Sequence, residues 1–254
     1  VDEPREGVYR ETTLDSSFNA LDLDRYLLTE AGHRLRRLAG AVPYDTLVIL
    51  VNSKRYGGGG IFNDYSINTV DNELSPLVFL HEFGHNFAGL ADEYYSSSVA
   101  YNEFYPKGLE PLEPNITAML DPAELKWKDL LSPNVALPTP WGKAEREALQ
   151  KQMWDLRMKQ YEELKAVQGD PQKENSIKAR YKKNLEKLGK KLKRIETKYA
   201  SADELVGAFE GAGYSSEGLY RPMTHCLMFS NQKTRFCRVC RQAIEKTIEY
   251  FCGR

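Results

Sequence analysis

Hydrophobic residues in the first half of the chain follow helical and extended patterns in turn. Apolar positions recur with helical spacing over residues 23–38, and residues 46–51 form an uninterrupted β-branched and apolar run that predicts a buried strand. Residues 61–70 predict a second strand. A further apolar helix is expected from Ser75, which can act as N-cap, because Pro76 suits the first turn. This alternation indicates an α/β (α+β) fold built on a twisted sheet.

The middle of the chain has a different composition and two further helical patterns. Lys, Glu, Gln, Arg and Leu dominate residues 143–199, where Gly169-Asp170-Pro171 interrupts the helical spacing. In the second arm, apolar residues recur at the alternating spacing of a coiled-coil seam: Tyr181, Leu185, Leu188, Leu192, Ile195 and Tyr199. We therefore predict a main domain from residues 1–140 and 200–254, and an inserted helical hairpin, an antiparallel coiled coil, at residues 141–199.

Charge is balanced overall but uneven along the chain. The 254 residues carry a formal net charge of -1, which argues against general nucleic-acid binding, and no apolar run is long enough to span a membrane. Residues 173–198 contain eleven basic and three acidic side chains. This basic face is either a solvated outer surface or a docking arm for an acidic or glycosylated partner.

The segment His81-Glu82-Phe83-Gly84-His85 carries the strongest chemical signal. Two histidines four residues apart on a helix lie on one face, so both imidazoles can reach one zinc ion. Glu82 can then act as the general base that takes a proton from zinc-bound water as it attacks a peptide carbonyl. The chain has only 4 histidines, so chance is a weak explanation of the pattern. His81 and His85 are the predicted metal ligands, and Glu82 is the predicted catalytic base.

A third protein ligand must come from beyond this helix. If the helix continued, Asp92 would lie about 10 Å along the axis from His85, too far to share one ion. Gly89 can adopt the left-handed conformation that ends a helix and turns the chain back. Asp92 is therefore the predicted third ligand and Glu93 the alternative. Either carboxylate could instead orient a ligand histidine or lie in a solvated loop.

The stretch from His81 to Tyr94, HEFGHNFAGLADEY, resembles the signature of the IgA peptidase family, which are bacterial secreted zinc metallopeptidases related to the metzincins. The segments LVNSKRYGGGG, GLYRPMTHCLM and FCRVC also agree, so the resemblance covers about residues 45–105 and 210–254. The metzincin pattern H-E-x-x-H-x-x-G-x-x-H has its glycine one residue earlier than Gly89 and ends on His where this chain has Asp92. The resemblance implies a metzincin-like catalytic domain, one catalytic Zn²⁺ ion and endopeptidase activity. It does not imply that IgA is the substrate.

The resemblance also gives candidate roles to residues outside the helix. Met228 is expected on a Met-turn beneath the zinc site, with Met223 as a lesser candidate. A phenol can support charge on a tetrahedral intermediate, which makes three tyrosines possible oxyanion stabilisers: Tyr94, Tyr95 and Tyr220. His225 is expected to be structural or to line the cleft, and His33 to lie in a polar helix unrelated to the metal.

Residues 57–60 are four consecutive glycines, which cannot pack side chains. They suit a close backbone approach, as in the edge strand that binds substrate in metzincin-like folds, or a flexible loop beside the active site. A phosphate-binding loop is excluded because no Gly-Lys-Ser/Thr ending follows.

All four cysteines lie near the end of the chain: Cys226, Cys237, Cys240 and Cys252. On one C-terminal helix, Cys240 and Cys252 would be about 18 Å apart and could not bond each other. In an oxidising compartment, a bridge from Cys226 to Cys237 or Cys240 is favoured. The alternative is a structural zinc site made of four cysteines.

Together these features predict a secreted zinc-dependent endopeptidase that hydrolyses protein or peptide substrates. The alternative is a catalytically inactive peptidase fold that binds a protein or glycan partner through the basic hairpin. Retention of Glu82 beside both histidines favours the enzyme. The resemblance implies secretion, or a location at the cell surface or in the periplasm. The chain begins at Val1 rather than Met, so we expect that an upstream segment has been removed.

Overall fold

The computed structural model describes residues 1–95, 104–230 and 233–253, and the chain divides into two compact units. The first unit combines residues 1–137 with residues 206–254, and the second consists of residues 138–205. The two-histidine motif and all four cysteines belong to the first unit, whereas the basic segment belongs to the second.

A three-stranded sheet organises the N-terminal part of the first unit. Before it, the short strands β1 (Ser16–Ser17) and β2 (Leu28–Thr29) pair antiparallel, and helix α1 (Gly32–Ala39) follows. The sheet contains β3 (Val48–Val51), β4 (Gly58–Ile61) and β5 (Tyr65–Thr69) in the order β3-β5-β4, with β3 parallel and β4 antiparallel to β5. The central strand β5 is buried along its length. The core around this sheet contains Phe18, Leu27, Leu35, Ile49, Val51, Tyr65 and Ile67.

Helix α2 (Ser75–Ala88) packs against β4 and β5, and the glycines of β4 make this approach possible. A Cβ atom on Gly60 would lie 2.4 Å from the backbone oxygen of Glu82, and one on Gly58 would lie 2.6 Å from Cγ1 of Val78. Both distances are too short for real atoms, since carbon contacts have their optimum near about 3.5–4.0 Å. The glycine run is therefore a strand that fits closely against the helix, and the flexible-loop interpretation is wrong for residues 58–60.

The C-terminal part of the first unit supplies a hairpin and a final helix. Strands β6 (Phe209–Ala212) and β7 (Ser215–Arg221) pair antiparallel across a turn at Gly213 and Tyr214. The last helix of the unit, at Arg238–Phe251, packs against α2. A second core holds these parts together and consists of Ala88, Leu90, Leu125, Trp127, Val206, Met223, Cys226, Met228, Cys237, Val239 and Cys240.

The second unit consists mainly of two long helices, α3 (Lys143–Ala166) and α4 (Pro171–Lys198); the C-terminal helix is accordingly α5. Tyr181, in the first half of α4, donates to Glu163 near the end of α3 at 2.6 Å, whereas Lys198 at the end of α4 lies 2.8 Å from Glu145 at the start of α3. The two helices therefore run antiparallel. The six seam residues are all buried or half-buried, and most residues between them are exposed.

The predicted helix at residues 23–38 is wrong in its first half. Only α1 is helical, because Leu27 donates its backbone N–H to Gly58 and residues 28–29 form β2. Leu27 and Leu35 are nonetheless both buried, whereas Leu38 is 51% exposed. Long-range pairing with the glycine strand thus prevails over local helical spacing.

Two finer expectations also differ from the structure. Strand β3 lies at a sheet edge and is not fully buried, since its side chains alternate and Leu50 is 63% exposed. Ser75 is the first helical residue and not the N-cap; its Oγ accepts from the backbone N–H of Asn72. Among the described residues, none of the helices combines the length and the apolar composition needed to cross a bilayer.

Candidate metal centre

His81 and His85 lie one turn apart on α2, and their Nε2 atoms are 3.1 Å apart. Gly84 lies between them. A Cβ atom at this position would lie 3.1 Å from Sδ of Met228, so the absence of a side chain leaves room for the turn that contains Met228. The N–H of Phe229 donates to the carbonyl of Cys226 at 3.0 Å and closes this turn. Met228, which is fully buried, therefore packs against the helix that carries both histidines.

Asp92 reaches both histidines because the chain reverses at Gly89. This glycine follows α2 with a φ of 60°, and its N–H donates to the carbonyl of His85 at 3.1 Å. The Oδ1 atom of Asp92 lies 3.0 Å from Nε2 of His81 and 3.4 Å from Nε2 of His85. The one-residue displacement of Gly89 from the metzincin spacing thus does not keep Asp92 from the histidines.

These three atoms form a triangle whose size suits a zinc ion. Its edges are 3.0, 3.1 and 3.4 Å. Nitrogen and oxygen ligands at about 2.0–2.1 Å from zinc in a tetrahedron lie roughly 3.3 Å from each other. The three side chains could therefore hold one ion with little rearrangement, and the same three residues form one of the potential metal clusters in the described chain.

Backbone carbonyls fix the orientation of both imidazoles. Nδ1 of His81 lies 3.1 Å from the carbonyl oxygen of Leu227, and Nδ1 of His85 lies 2.5 Å from that of Leu90. A carbonyl only accepts, so in each neutral ring the proton is on Nδ1 and the lone pair is on Nε2. Two nitrogen lone pairs and one carboxylate oxygen therefore converge on the same point, an arrangement that a cation stabilises.

Electrostatic coupling within the cluster also favours a positive charge. Burial alone would lower the pKa of His85, but the Asp92 carboxylate raises it to about 9, and the pKa of His81 is raised for the same reason. Burial alone would raise the pKa of Asp92, yet the two histidines hold it well below its usual range. A divalent cation would take the place of the protons that these groups otherwise attract.

Glu82 lies in the same cavity wall as these three residues, and its carboxylate lies close to the glycine strand. A Cβ atom on Gly58 would lie 3.2 Å from Oε1 of Glu82, so the side chain lies against this bare stretch of backbone. Burial raises the pKa of Glu82, and the neighbouring histidines offset that rise only in part. A carboxyl group with a raised pKa is suited to accept a proton and to return it near neutral pH.

Tyr214 is a site residue that the sequence did not identify. Its hydroxyl donates to Oδ2 of Asp92, the oxygen that faces away from the histidines. Tyr214 has a φ of 64° and Gly213 a φ of 54°, so both turn residues of the β6-β7 hairpin are left-handed. This combination is typical of a type I′ turn but uncommon for tyrosine, and such backbone strain concentrates at functional sites. No motif surrounds Tyr214, and only the glycine-rich turn distinguishes it in the sequence.

Tyr94 extends this hydrogen-bonded group. Its hydroxyl lies 3.4 Å from that of Tyr214, and the guanidinium of Arg25 lies 3.5 Å from the Tyr94 hydroxyl. Burial and then the charge of Asp92 raise the pKa of both Tyr94 and Tyr214 well above the usual value. Both phenols therefore keep their protons and can act as hydrogen-bond donors.

The cluster opens into a cavity of about 700 Å³. Gly58 and Gly60 of β4 line one side, and the two histidines, Glu82 and Asp92 lie in its wall. Much of the remaining lining is aromatic and includes Tyr26, Tyr56, Phe62, Tyr94, Phe104, Tyr105 and Tyr214. A largely apolar cavity of this size with a few convergent polar groups is typical of a ligand site.

Most other candidates from the sequence lie elsewhere. Of the three candidate tyrosines only Tyr94 lines the cavity; Tyr95 packs on Gly211 and Phe229, and Tyr220 pairs through its backbone with Thr117. The remaining three candidates are not part of the cavity wall either: Met223, which is in the core, His225, and the exposed His33.

Glu93 points away from the histidines and is not the alternative third ligand. Its Oε1 atom lies 3.0 Å from Sγ of Cys240, whereas Oδ1 of Asp92 lies 3.0 Å from Nε2 of His81. The predicted disulfide is also wrong, because Sγ of Cys226 lies 3.6 Å from that of Cys240 and all four cysteines are free thiols. A site of four cysteines is wrong as well, since Cys252 is exposed and Glu93 stands with the other three.

Asn115 is a second residue that sequence reasoning missed. Its side chain accepts from the N–H of Ala91 at 2.7 Å and donates to the carbonyl of Ala91 at 2.9 Å. It also donates to Glu93 at 3.2 Å. This fully buried amide therefore fixes the backbone of Ala91 before Asp92 and the side chain of Glu93 after it.

Comparison with known proteins identifies a family. A family model described as IgA Peptidase M64 matches residues 1–248, which is nearly the whole chain and includes the second unit. A search of curated proteins found no match.

Proposed function

The chain belongs to the IgA peptidase M64 family, whose members are metallopeptidases, and we propose that it is a zinc-dependent endopeptidase acting on protein or peptide substrates. Family membership carries the peptidase assignment. The proposed metal and mechanism are supported by the triangle of His81, His85 and Asp92, with Glu82 in the wall of the same cavity.

His81 and His85 would hold the ion through Nε2, and Asp92 would hold it through Oδ1. Two imidazoles and a carboxylate form a donor set that zinc accepts, and three protein ligands leave a coordination position open, as catalytic zinc sites require. Zinc, when bound, would polarise the scissile carbonyl and lower the pKa of a water molecule. The carbonyls of Leu227 and Leu90 keep both rings in the ligating orientation.

Glu82 is the proposed general base. Its carboxylate would accept a proton from the attacking water and then return that proton to the leaving amine. Tyr214 would position Asp92 through the hydrogen bond to Oδ2. Tyr94, which lines the cavity with its proton retained, would donate to the oxygen that becomes negative when water adds to the carbonyl.

The edge strand β4 supports an extended substrate. Gly58 and Gly60 line the cavity; because the carbonyl of Gly58 already accepts from Leu27, a substrate would pair with β4 beyond that residue, along Gly60. An extended peptide can add to such an edge through main-chain hydrogen bonds, which accommodate many sequences. Substrates with internal peptide bonds running along β4 are therefore favoured over free amino-terminal or carboxy-terminal residues.

Cleavage of a peptide library, analysed by mass spectrometry, tests this proposal. We expect internal cleavage that stops when a chelator removes the metal and returns when zinc is added back. Exposed Glu73→Gln, the control for Glu82→Gln, leaves the cavity untouched and should cleave like the wild type. A protein that binds zinc but cleaves nothing under any of these conditions would favour an inactive binding scaffold instead.

A further inference from the structure

Four buried side chains form a second cluster, separate from the cavity. Glu93, Cys226 and Cys240 are 0% exposed and Cys237 is 4% exposed. One ligand atom of each lies within 4.8 Å of every other, and none of the four lines the cavity. Three thiols and a carboxylate are thus concentrated where solvent does not reach.

Two distances in this cluster match those around a tetrahedral zinc ion, and the contact between Glu93 and Cys240 is shorter. Sγ of Cys226 and Sγ of Cys240 are 3.6 Å apart, and Oε1 of Glu93 lies 3.0 Å from Sγ of Cys240 and 3.7 Å from Sγ of Cys237. Zinc bonds of about 2.3 Å to sulfur and about 2.0–2.2 Å to oxygen place tetrahedral ligands roughly 3.5–3.8 Å apart. A disulfide instead requires sulfur atoms at about 2.05 Å.

Backbone N–H groups point at two of the three sulfur atoms. The N–H of Cys237 lies 3.3 Å from Sγ of Cys226, and that of Cys240 lies 3.5 Å from Sγ of Cys237. Cys237 is also the N-cap of α5, where the helix dipole favours negative charge. Two cysteines separated by two residues are half of the usual zinc-binding signature, and the N–H contacts would stabilise the thiolate forms of Cys226 and Cys237 when a metal is bound.

Glu93 supplies the fourth donor and an independent sign of a missing ligand. Its Oε1 accepts from Asn115 at 3.2 Å, but its Oε2 is buried with no hydrogen-bond partner among the described residues. A buried carboxylate oxygen of this kind is costly unless a cation or a donor lies beside it. The buried Arg221 interacts electrostatically with Glu93 and would offset part of the negative charge that remains around a divalent ion.

We propose that Glu93, Cys226, Cys237 and Cys240 bind a second zinc ion with a structural role. Four protein ligands close the coordination sphere, and burial leaves no route for water or substrate, which is typical of a structural and not a catalytic site. Soft thiolate ligands also select zinc over magnesium or calcium.

This ion would connect the segments that build the catalytic centre. Glu93 directly follows Asp92, and its N–H donates to the carbonyl of Met228 at 2.8 Å. Leu227, next to Cys226, holds the ring of His81 through its carbonyl. The second site would therefore fix the relative positions of a metal-binding carboxylate and a histidine-orienting carbonyl. The inference stands on the cluster itself and does not require that the protein be active.

Metal content and cobalt spectroscopy of the full chain, purified under reducing conditions, test the proposal. We expect two zinc ions per chain by elemental mass spectrometry. The double substitution His81→Ala and His85→Ala should leave one ion, and cobalt in that variant should show thiolate-to-metal charge-transfer absorption. In the same background, Cys237→Ser with Cys240→Ser should lose this absorption, whereas exposed Cys252→Ser should keep it.

A single zinc ion in the wild-type protein, or cobalt absorption without thiolate character in the histidine variant, would overturn the proposal. So would a disulfide among Cys226, Cys237 and Cys240 that persists in the presence of a mild reductant. The histidine variant retains all four proposed ligands, so it decides the question even if the cysteine variants do not fold. Two bound zinc ions without peptidase activity would support this inference while contradicting the proposed function.

Discussion

Nε2 of His81 lies 3.0 Å from Oδ1 of Asp92, although a complete reversal of the chain at Gly89 separates the two residues. The helix alone provides two of the proposed ligands, and the reversal provides the third. The affinity for metal should therefore depend on the backbone at Gly89 as well as on the ligands themselves.

Gly89→Ala should weaken both the fold and the metal site. At a φ of 60°, a Cβ atom costs about 1–2 kcal/mol, and it would also lie 3.1 Å from the ring of Phe62. Thermal unfolding and zinc content after dialysis measure the two effects. Gly108→Ala is the matched control, because Gly108 is also left-handed but has nothing within 4 Å. Equal zinc retention by both variants would show that Gly89 does not position Asp92.

Asp92→Asn should reduce zinc retention by one ion per chain. The substitution keeps the shape of the side chain but removes the negative charge beside both Nε2 atoms, and loss of an outer partner of a ligand already costs about 10–100-fold in affinity. Elemental analysis after dialysis measures the outcome. Exposed Asp129→Asn should retain the wild-type content. Full occupancy in Asp92→Asn would remove Asp92 from the ligand set.

Tyr214→Phe should lower zinc affinity or kcat by about 10–100-fold, because the donor to Oδ2 of Asp92 is lost while the ring is retained. Chelator competition and peptide cleavage separate the two effects. Tyr9→Phe, at a residue that is 71% exposed, is the control. If both variants behave like the wild type, the hydrogen bond to Asp92 does not contribute to the site.

The basic face of α4 is proposed to dock acidic substrates. Replacing exposed Lys182, Lys183, Lys190 and Lys191 by Gln should slow cleavage of an acidic protein at low salt, because charge steering is lost. Cleavage of a short neutral peptide should not change. Equal rates on the acidic protein, with equal salt dependence, would make this face a solvated surface only.

Hydrophobic spacing predicts the elements that local sequence determines. Helix α4 has a capping Asp170 and a regular apolar seam, so its periodicity is visible without tertiary information. Residues 23–29 show the opposite case. Their helical spacing is overridden because Leu27 bonds to Gly58, a partner that no local pattern identifies.

The candidate site also combines residues that local spacing predicts with residues that only the folded chain brings together. His81, Glu82, His85 and the reversal at Gly89 can be found in the sequence because their spacing along one helix fixes their geometry. Tyr214 and Asn115 come from distant segments and carry no motif, so only the folded chain shows them beside Asp92 and Glu93. The grouping of Glu93 with three cysteines likewise depends on the path of the backbone after Gly89, which the sequence does not specify locally.

The most direct test of the proposed mechanism is Glu82→Gln, assayed for cleavage and metal content together. The substitution removes the proton acceptor and keeps the size of the side chain, so we expect kcat to fall by at least about 100-fold. The zinc content and the cleavage positions should remain those of the wild type. Cleavage by Glu82→Gln at the wild-type rate, with zinc bound, would contradict the assignment of Glu82 as the catalytic base.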